Sequence, residues 1–164
     1  MATITLLLGP VGAGKTTFGL SLSSKESAVF FNLDEWMANL FRPDRPEKDL
    51  MAWYANRVER CNLQILKMAE QASSTGINVV LEIGLIRKVQ REEFFNWIDE
   101  RQIDLVIYIF DVDRSVRRER VIQRNKTRGP SFSMEVPMEF FEMASDFWEP
   151  VEAQEIEGRT HIVL

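Results

Sequence analysis

The chain has 164 residues, 45% hydrophobic and 27% charged, with a formal net charge of −5, the length and make-up of one domain with a real core. No apolar run approaches the roughly 20 residues of a membrane span, no signal peptide is visible, and the acidic balance disfavours nucleic acid as a partner, so a cytoplasmic protein is expected. One cysteine, Cys61, excludes an internal disulfide and a cysteine-cluster metal site, and the one histidine, His161, reads as a structural residue of the last strand, with no histidine-based triad or zinc site expected.

Thr3 to Leu8 reads as a short buried strand leading into Gly9-Pro10-Val11-Gly12-Ala13-Gly14-Lys15-Thr16. This is the P-loop pattern in its proper context, after a strand and before a helix over Lys15 to Ser24. Its glycines let a tight loop aim backbone N–H groups at the phosphates of a nucleotide, at a helix N-terminus that already favours anions. Lys15 adds positive charge toward the β- and γ-phosphates, and the Thr16 hydroxyl is a ligand for Mg²⁺. Gly9, Gly12, Ala13, Gly14, Lys15, Thr16 and Thr17 are the candidate nucleotide contacts, with ATP and Mg²⁺ as cofactors.

Ala28 to Leu33 is a second strand candidate ending at Asp34, a carboxylate that either takes the proton of an attacking hydroxyl or caps the segment Glu35 to Phe41. Glu47 to Ser73 has apolar residues at helical spacing, including Tyr54, Val58 and Cys61, and Gly76 punctuates it. The segment Glu35 to Asn62 is where acceptor specificity is expected. Ile77 to Ile83 is a third strand whose near-continuous apolar run implies cover on both faces. Glu82, near its end, is costly to bury unless it meets a cation or metal-bound water, which makes it a candidate metal group, directly or through water, against a structural role at a helix N-terminus. Arg87 opens the helix Arg87 to Glu100 and is an acceptor-side candidate, or simply the first residue of a charged helix.

Leu105 to Phe110 is the clearest strand, followed by a charged helix over Arg114 to Lys126. Arg117, Arg120, Arg124 and Arg128 are offset by 3, 4 and 4 residues, which places them on one helix face. They read as a clamp for a transferring phosphoryl group, with Arg128 an acceptor-side candidate, or as a solvated stripe. Gly129, Pro130 and Pro137 break the chain after it, giving a lid of about 114–137. An aromatic helix over Met138 to Trp148, whose Phe140, Phe141, Phe147 and Trp148 suggest core, and a last strand near Thr160 to Val163 complete the order. Alternating strands and helices predict a parallel sheet with helices on both faces.

With Gly9 to Thr17, Asp34 and the run Arg117 to Asn125 in place, the chain resembles the P-loop kinases of the nucleoside-monophosphate-kinase-like group, and within it the small AAA-type ATP-binding proteins. Zeta toxins, chloramphenicol phosphotransferase and polynucleotide kinase are relatives. The resemblance implies a three-layer α/β P-loop NTPase fold with a five-stranded parallel sheet in order 2-3-1-4-5. It also implies that Arg120 and Arg124 sit on a lid helix, one near the adenine and one on the phosphates, and that Asp34 is the base. Glu82 stands where many such kinases carry Asp, and Arg87 matches the acceptor-phosphate arginine only loosely. The expected function is transfer of the ATP γ-phosphoryl group to a hydroxyl of a small-molecule, nucleotide-sugar or nucleic-acid acceptor, with Lys15, Asp34, Arg120 and Arg124 catalytic. The alternative is an ATP-binding regulatory switch or ATPase without an acceptor.

Overall fold

A computed structural model describes residues 2–164. Strands β1 (Thr3–Leu8), β2 (Val29–Asn32), β3 (Val79–Glu82), β4 (Asp104–Ile109) and β5 (Thr160–Val163) form one parallel sheet in the order β2-β3-β1-β4-β5. Helices α1 (Lys15–Glu26), α2 (Leu33–Leu40), α3 (Leu50–Ser74), α4 (Lys88–Glu100), α5 (Arg114–Thr127) and α6 (Met138–Phe147) connect them. This is the α/β sheet order implied by the resemblance.

The central strand shows why the sheet is covered on both faces. Side chains alternate along a strand, and Ile4, Leu6 and Leu8 enter a core shared with Ile65, Ala69 and Phe94 of α3 and α4. Leu7, pointing the other way, packs with Val80, Phe110 and Phe18 of α1. A third cluster, Val121, Val136 and Phe141, seals α5 against α6. Phe141 is fully buried there, but Phe140 and Phe147 are 41% and 46% exposed, so the aromatic helix is not core throughout.

The second strand is shorter than its apolar run suggests. Asn32 ends it and caps α2, its Oδ1 accepting the Glu35 N–H at 3.1 Å, so Leu33 and Asp34 belong to the helix. Asp34 therefore does not cap that helix, and its carboxylate is free for another role.

Two short 3-10 turns, Arg42–Asp44 and Ala153–Ile156, add to the elements expected from the sequence. The second carries Glu155, which pairs with Arg91 of α4 at 2.7 Å, with side chains 0% and 1% exposed. Arg91 also donates to the carbonyls of Ile86 and Glu149. This buried junction fixes the loop from β3 to α4 against the chain that follows α6. No helix among the described residues is long and apolar enough to cross a membrane.

Candidate active site

The site begins with the loop between β1 and α1, at the carboxyl ends of the strands where parallel sheets bind ligands. Gly12 has φ +78°, and a Cβ there would stand 2.8 Å from the Arg117 carbonyl oxygen and from Val121 Cγ2. Only glycine accepts both the backbone angle and that approach. Gly9 is required by contact alone, since a Cβ would meet Phe110 Cβ at 2.8 Å. Helix α1 starts from Gly14 without a side-chain cap, leaving its first N–H groups for an anion. Lys15 Nζ donates to the carbonyls of Gly9 and Pro10 at 2.8 and 2.9 Å.

The neighbouring strands bring the acids. Glu82, buried at the end of β3, accepts hydrogen bonds from Thr16 Oγ1 and from Asn32 Nδ2, both at 3.1 Å. Asn32 thus joins the acid of β3 to the first turn of α2. Burial raises the Glu82 carboxyl above its ordinary value, with Lys15, the Thr16 hydrogen bond and Arg124 pulling it down and Asp34 pushing it further up. Asp34 is also raised by burial, against Lys15 and Arg124. Asp34 is itself exposed to the cleft, so its shift reflects the protein mass around the cleft and not an enclosed side chain. Burial depresses Lys15, a shift that Glu82 and Asp34 oppose. The three groups form one coupled electrostatic unit.

A cleft of about 900 Å³ encloses this unit, lined by the P-loop, Asp34, Tyr54, Glu82, Gln90, Arg120 and Arg124 among others. Arg120 Nη1 donates to the Ala13 carbonyl at 3.1 Å. Arg124 Nε is buried without a hydrogen-bond partner among the described residues. Such an orphan is rare and points to a group that the site is built to receive.

Residues 4–150 match the family described as AAA domain. The chain belongs to that family. Its fold recurs in solved structures of low sequence identity. A protein of Chloroflexus aurantiacus assigned as a kinase is 13% identical with a TM-score of 0.73, over 99% of this chain and 84% of that one. Kti12 of Chaetomium thermophilum, solved with ADP-AlF3, is 10% identical with a TM-score of 0.66, over 98% and 88%. A sugar kinase of Janibacter is 13% identical with a TM-score of 0.63, over 100% and 85%. No curated protein shows significant sequence similarity.

In this AAA domain the expected residues divide. The loop residues, Asp34, Glu82, Arg120 and Arg124 meet in one cleft. The other members of the arginine stripe do not. Arg117 is buried, donating to the carbonyls of Val11 and Val112 and to Ser145 Oγ, over the Phe141 ring. Arg128, past the helix end at φ 48°, lies over Phe132 and 3.6 Å from Glu135. Arg87 lies over Phe147, outside the cleft lining. Two residues absent from the sequence reading belong to the site: Asn32, through its bond to Glu82, and Gln90, on the wall. Asn32 carried no signal of its own, because its partner is 50 residues away and adjacent only once β2 pairs with β3.

Proposed function

We propose that this protein is an ATP-dependent phosphotransferase that moves the γ-phosphoryl group to a hydroxyl of a small-molecule or nucleotide-like acceptor. The observation that carries the reading is the convergence of Lys15, Asp34, Glu82 and Arg124 in one cleft at the carboxyl edge of the sheet.

The P-loop N–H groups and Lys15 hold the donor phosphates, and Arg120 and Arg124 approach from α5. Thr16 Oγ1 and the Glu82 carboxylate are hard oxygen donors 3.1 Å apart, and no cluster of three or more His, Cys, Asp or Glu able to hold a metal occurs among the described residues. That sparse set suits Mg²⁺, which relies on substrate phosphates and waters for most of its shell. When bound, it offsets charge on the β- and γ-oxygens. Asp34 accepts the proton of the acceptor hydroxyl as that oxygen bonds to the γ-phosphorus; the bond from phosphorus to the β,γ-bridging oxygen breaks, and ADP leaves. The elevated Asp34 carboxyl suits a base better than an ordinary surface aspartate.

The test is Asp34→Asn, assayed for γ-phosphate transfer and, separately, for ATP binding. Transfer should fall by at least about 100-fold with ATP affinity within about threefold of wild type. Undiminished transfer removes Asp34 from the mechanism. Acceptor-independent hydrolysis as the sole activity, with no phosphorylated product, favours the regulatory ATPase instead.

A further inference from the structure

Strand β3 delivers Glu82 to the cleft, and the chain turns at once. The ladder with β2 ends where Asn32 faces Glu82, Ile83 follows, and Gly84 takes φ +66° at the cleft surface. Glu82 is therefore the last residue that regular pairing holds. Its carboxylate is bonded to Thr16 and Asn32, but the peptide that leaves it lies past the ladder. Asn62 of α3 anchors that peptide: its Nδ2 donates to the Ile83 carbonyl at 3.2 Å, across 21 residues of sequence.

The anchor stands on a packed element. Cys61, Ile65 and Ala69 set α3 into the core that also takes Leu81 and Ile83, so the helix and the end of β3 are already fixed against each other. The Asn62 amide adds a directed contact at that junction. Stability alone does not account for an asparagine here. Its Oδ1 is buried without a hydrogen-bond partner among the described residues, and an unsatisfied buried acceptor is costly. An apolar side chain would remove that orphan and leave the Ile83 carbonyl in its place, so folding gains little from the amide. What it does supply is orientation. Two amides bracket Glu82, Asn32 on its carboxylate from β2 and Asn62 on the following peptide from α3.

We infer that Asn62 is a positioning residue for the metal: by fixing the Ile83 peptide it keeps the Glu82 carboxylate beside Thr16 Oγ1. The inference rests on the assignment of Thr16 and Glu82 to Mg²⁺ within the phosphotransferase reading. Groups that orient a metal ligand from behind commonly carry about 10- to 100-fold of metal affinity.

The test is equilibrium binding of a non-hydrolysable ATP analogue to the full chain, in Mg²⁺ and again in EDTA. Mg²⁺ should tighten the analogue in wild type. In Asn62→Leu that tightening should shrink about tenfold, with the EDTA affinity within about twofold of wild type and Tm within about 4 °C. Asn62→Ala, which adds no bulk, should behave alike and decides the matter if leucine disturbs the packing. In a Glu82→Gln background, Asn62→Leu should change neither affinity by more than about twofold, because its route to the metal is gone. An undiminished Mg²⁺ effect in the Asn62 variants, an equal loss in EDTA, or a further tenfold loss on top of Glu82→Gln overturns the inference. Wild-type binding that is indifferent to Mg²⁺ overturns the metal assignment together with it. Absence of γ-phosphate transfer, read separately in the Asp34→Asn assay, bears only on the phosphotransferase reading.

Discussion

Arg91→Met isolates the buried pair that holds the loop from β3 to α4 against the chain after α6. Methionine keeps most of the aliphatic stem but removes every donor. Glu155 then keeps a single partner, the Glu152 N–H at 2.9 Å, while its side chain stays 1% exposed; the Glu149 carbonyl, 3.0 Å from Arg91 Nη1, loses its donor too. Breaking one side of such a pair costs about 3–5 kcal/mol, because the surviving charge is left in the interior. For a chain of this length each kcal/mol lowers Tm by roughly 2–4 °C, so the expected drop is about 6–20 °C, read by calorimetry and urea unfolding at pH 7. The double variant Arg91→Met, Glu155→Leu should recover much of the loss, since it removes both charges. A pH series adds an independent arm. Burial pushes the Glu155 carboxyl up, but the hydrogen bonds from Arg91 and from the Glu152 N–H outweigh it and hold it below the ordinary value. Its contribution is therefore complete above the unfolded value, near about pH 4.3, and is lost as pH falls through the folded value. Glu155→Gln should flatten that part of the acid-unfolding curve. A single-variant loss under about 1 kcal/mol, or an unchanged acid limb in Glu155→Gln, would refute the assignment.

Asn32→Ser keeps an oxygen to cap α2 but replaces the amide NH₂ that reaches Glu82 with a hydroxyl one bond shorter; the Mg²⁺ concentration for half-maximal transfer should rise about tenfold, with at most about 1.5 kcal/mol of stability lost. An unchanged Mg²⁺ requirement would show that Asn32 does not position Glu82. Gly12→Ala forces a Cβ into the Arg117 carbonyl at a left-handed backbone angle and should cost about 1–3 kcal/mol together with ATP binding. Wild-type affinity in that variant, by calorimetric titration, would contradict the close contact between loop and α5.

What the sequence disclosed follows the range of the interactions involved. The P-loop, β1, β5 and α5 depend on contiguous patterns, and they lie where the residues alone put them to within a residue or so. The Asp34 environment depends on a strand ending one residue early, at Asn32, which a hydrophobic run cannot show because Leu33 is equally apolar in either element. Arg91 offers a partial signal. It occupies the i position of the stripe Phe94, Phe95 and Ile98 at i+3, i+4 and i+7, so a charge on the buried face of α4 was legible. Its partner was not, being 64 residues further on in a 3-10 turn. Helical spacing likewise set Arg117, Arg120, Arg124 and Arg128 on one face without saying which would meet a carbonyl, a cleft or another side chain.

The division of that arginine face bears on how the site can close. Arg117 reaches Val11 and Arg120 reaches Ala13 with side-chain hydrogen bonds of 2.9 and 3.1 Å, and the Arg117 backbone presses on Gly12. Arg114 and Arg118 pair with Glu142, tying the same helix to α6. The first two turns of α5 are thus part of the P-loop's own support, and lifting them would break contacts on both sides. Past Arg124 the anchors thin out. Arg128 takes a left-handed backbone and Gly129 follows, until Asn125 grips the backbone N–H and carbonyl of Val136 at 3.1 and 2.8 Å. Of the expected lid of about 114–137, the part up to Arg120 is thus tied to the P-loop and to α6, while residues 128–136 lie outside those ties. Guanidinium groups held by a fixed helix meet developing charge without reorganising, which is where electrostatic stabilisation of a transferring phosphoryl group is most effective.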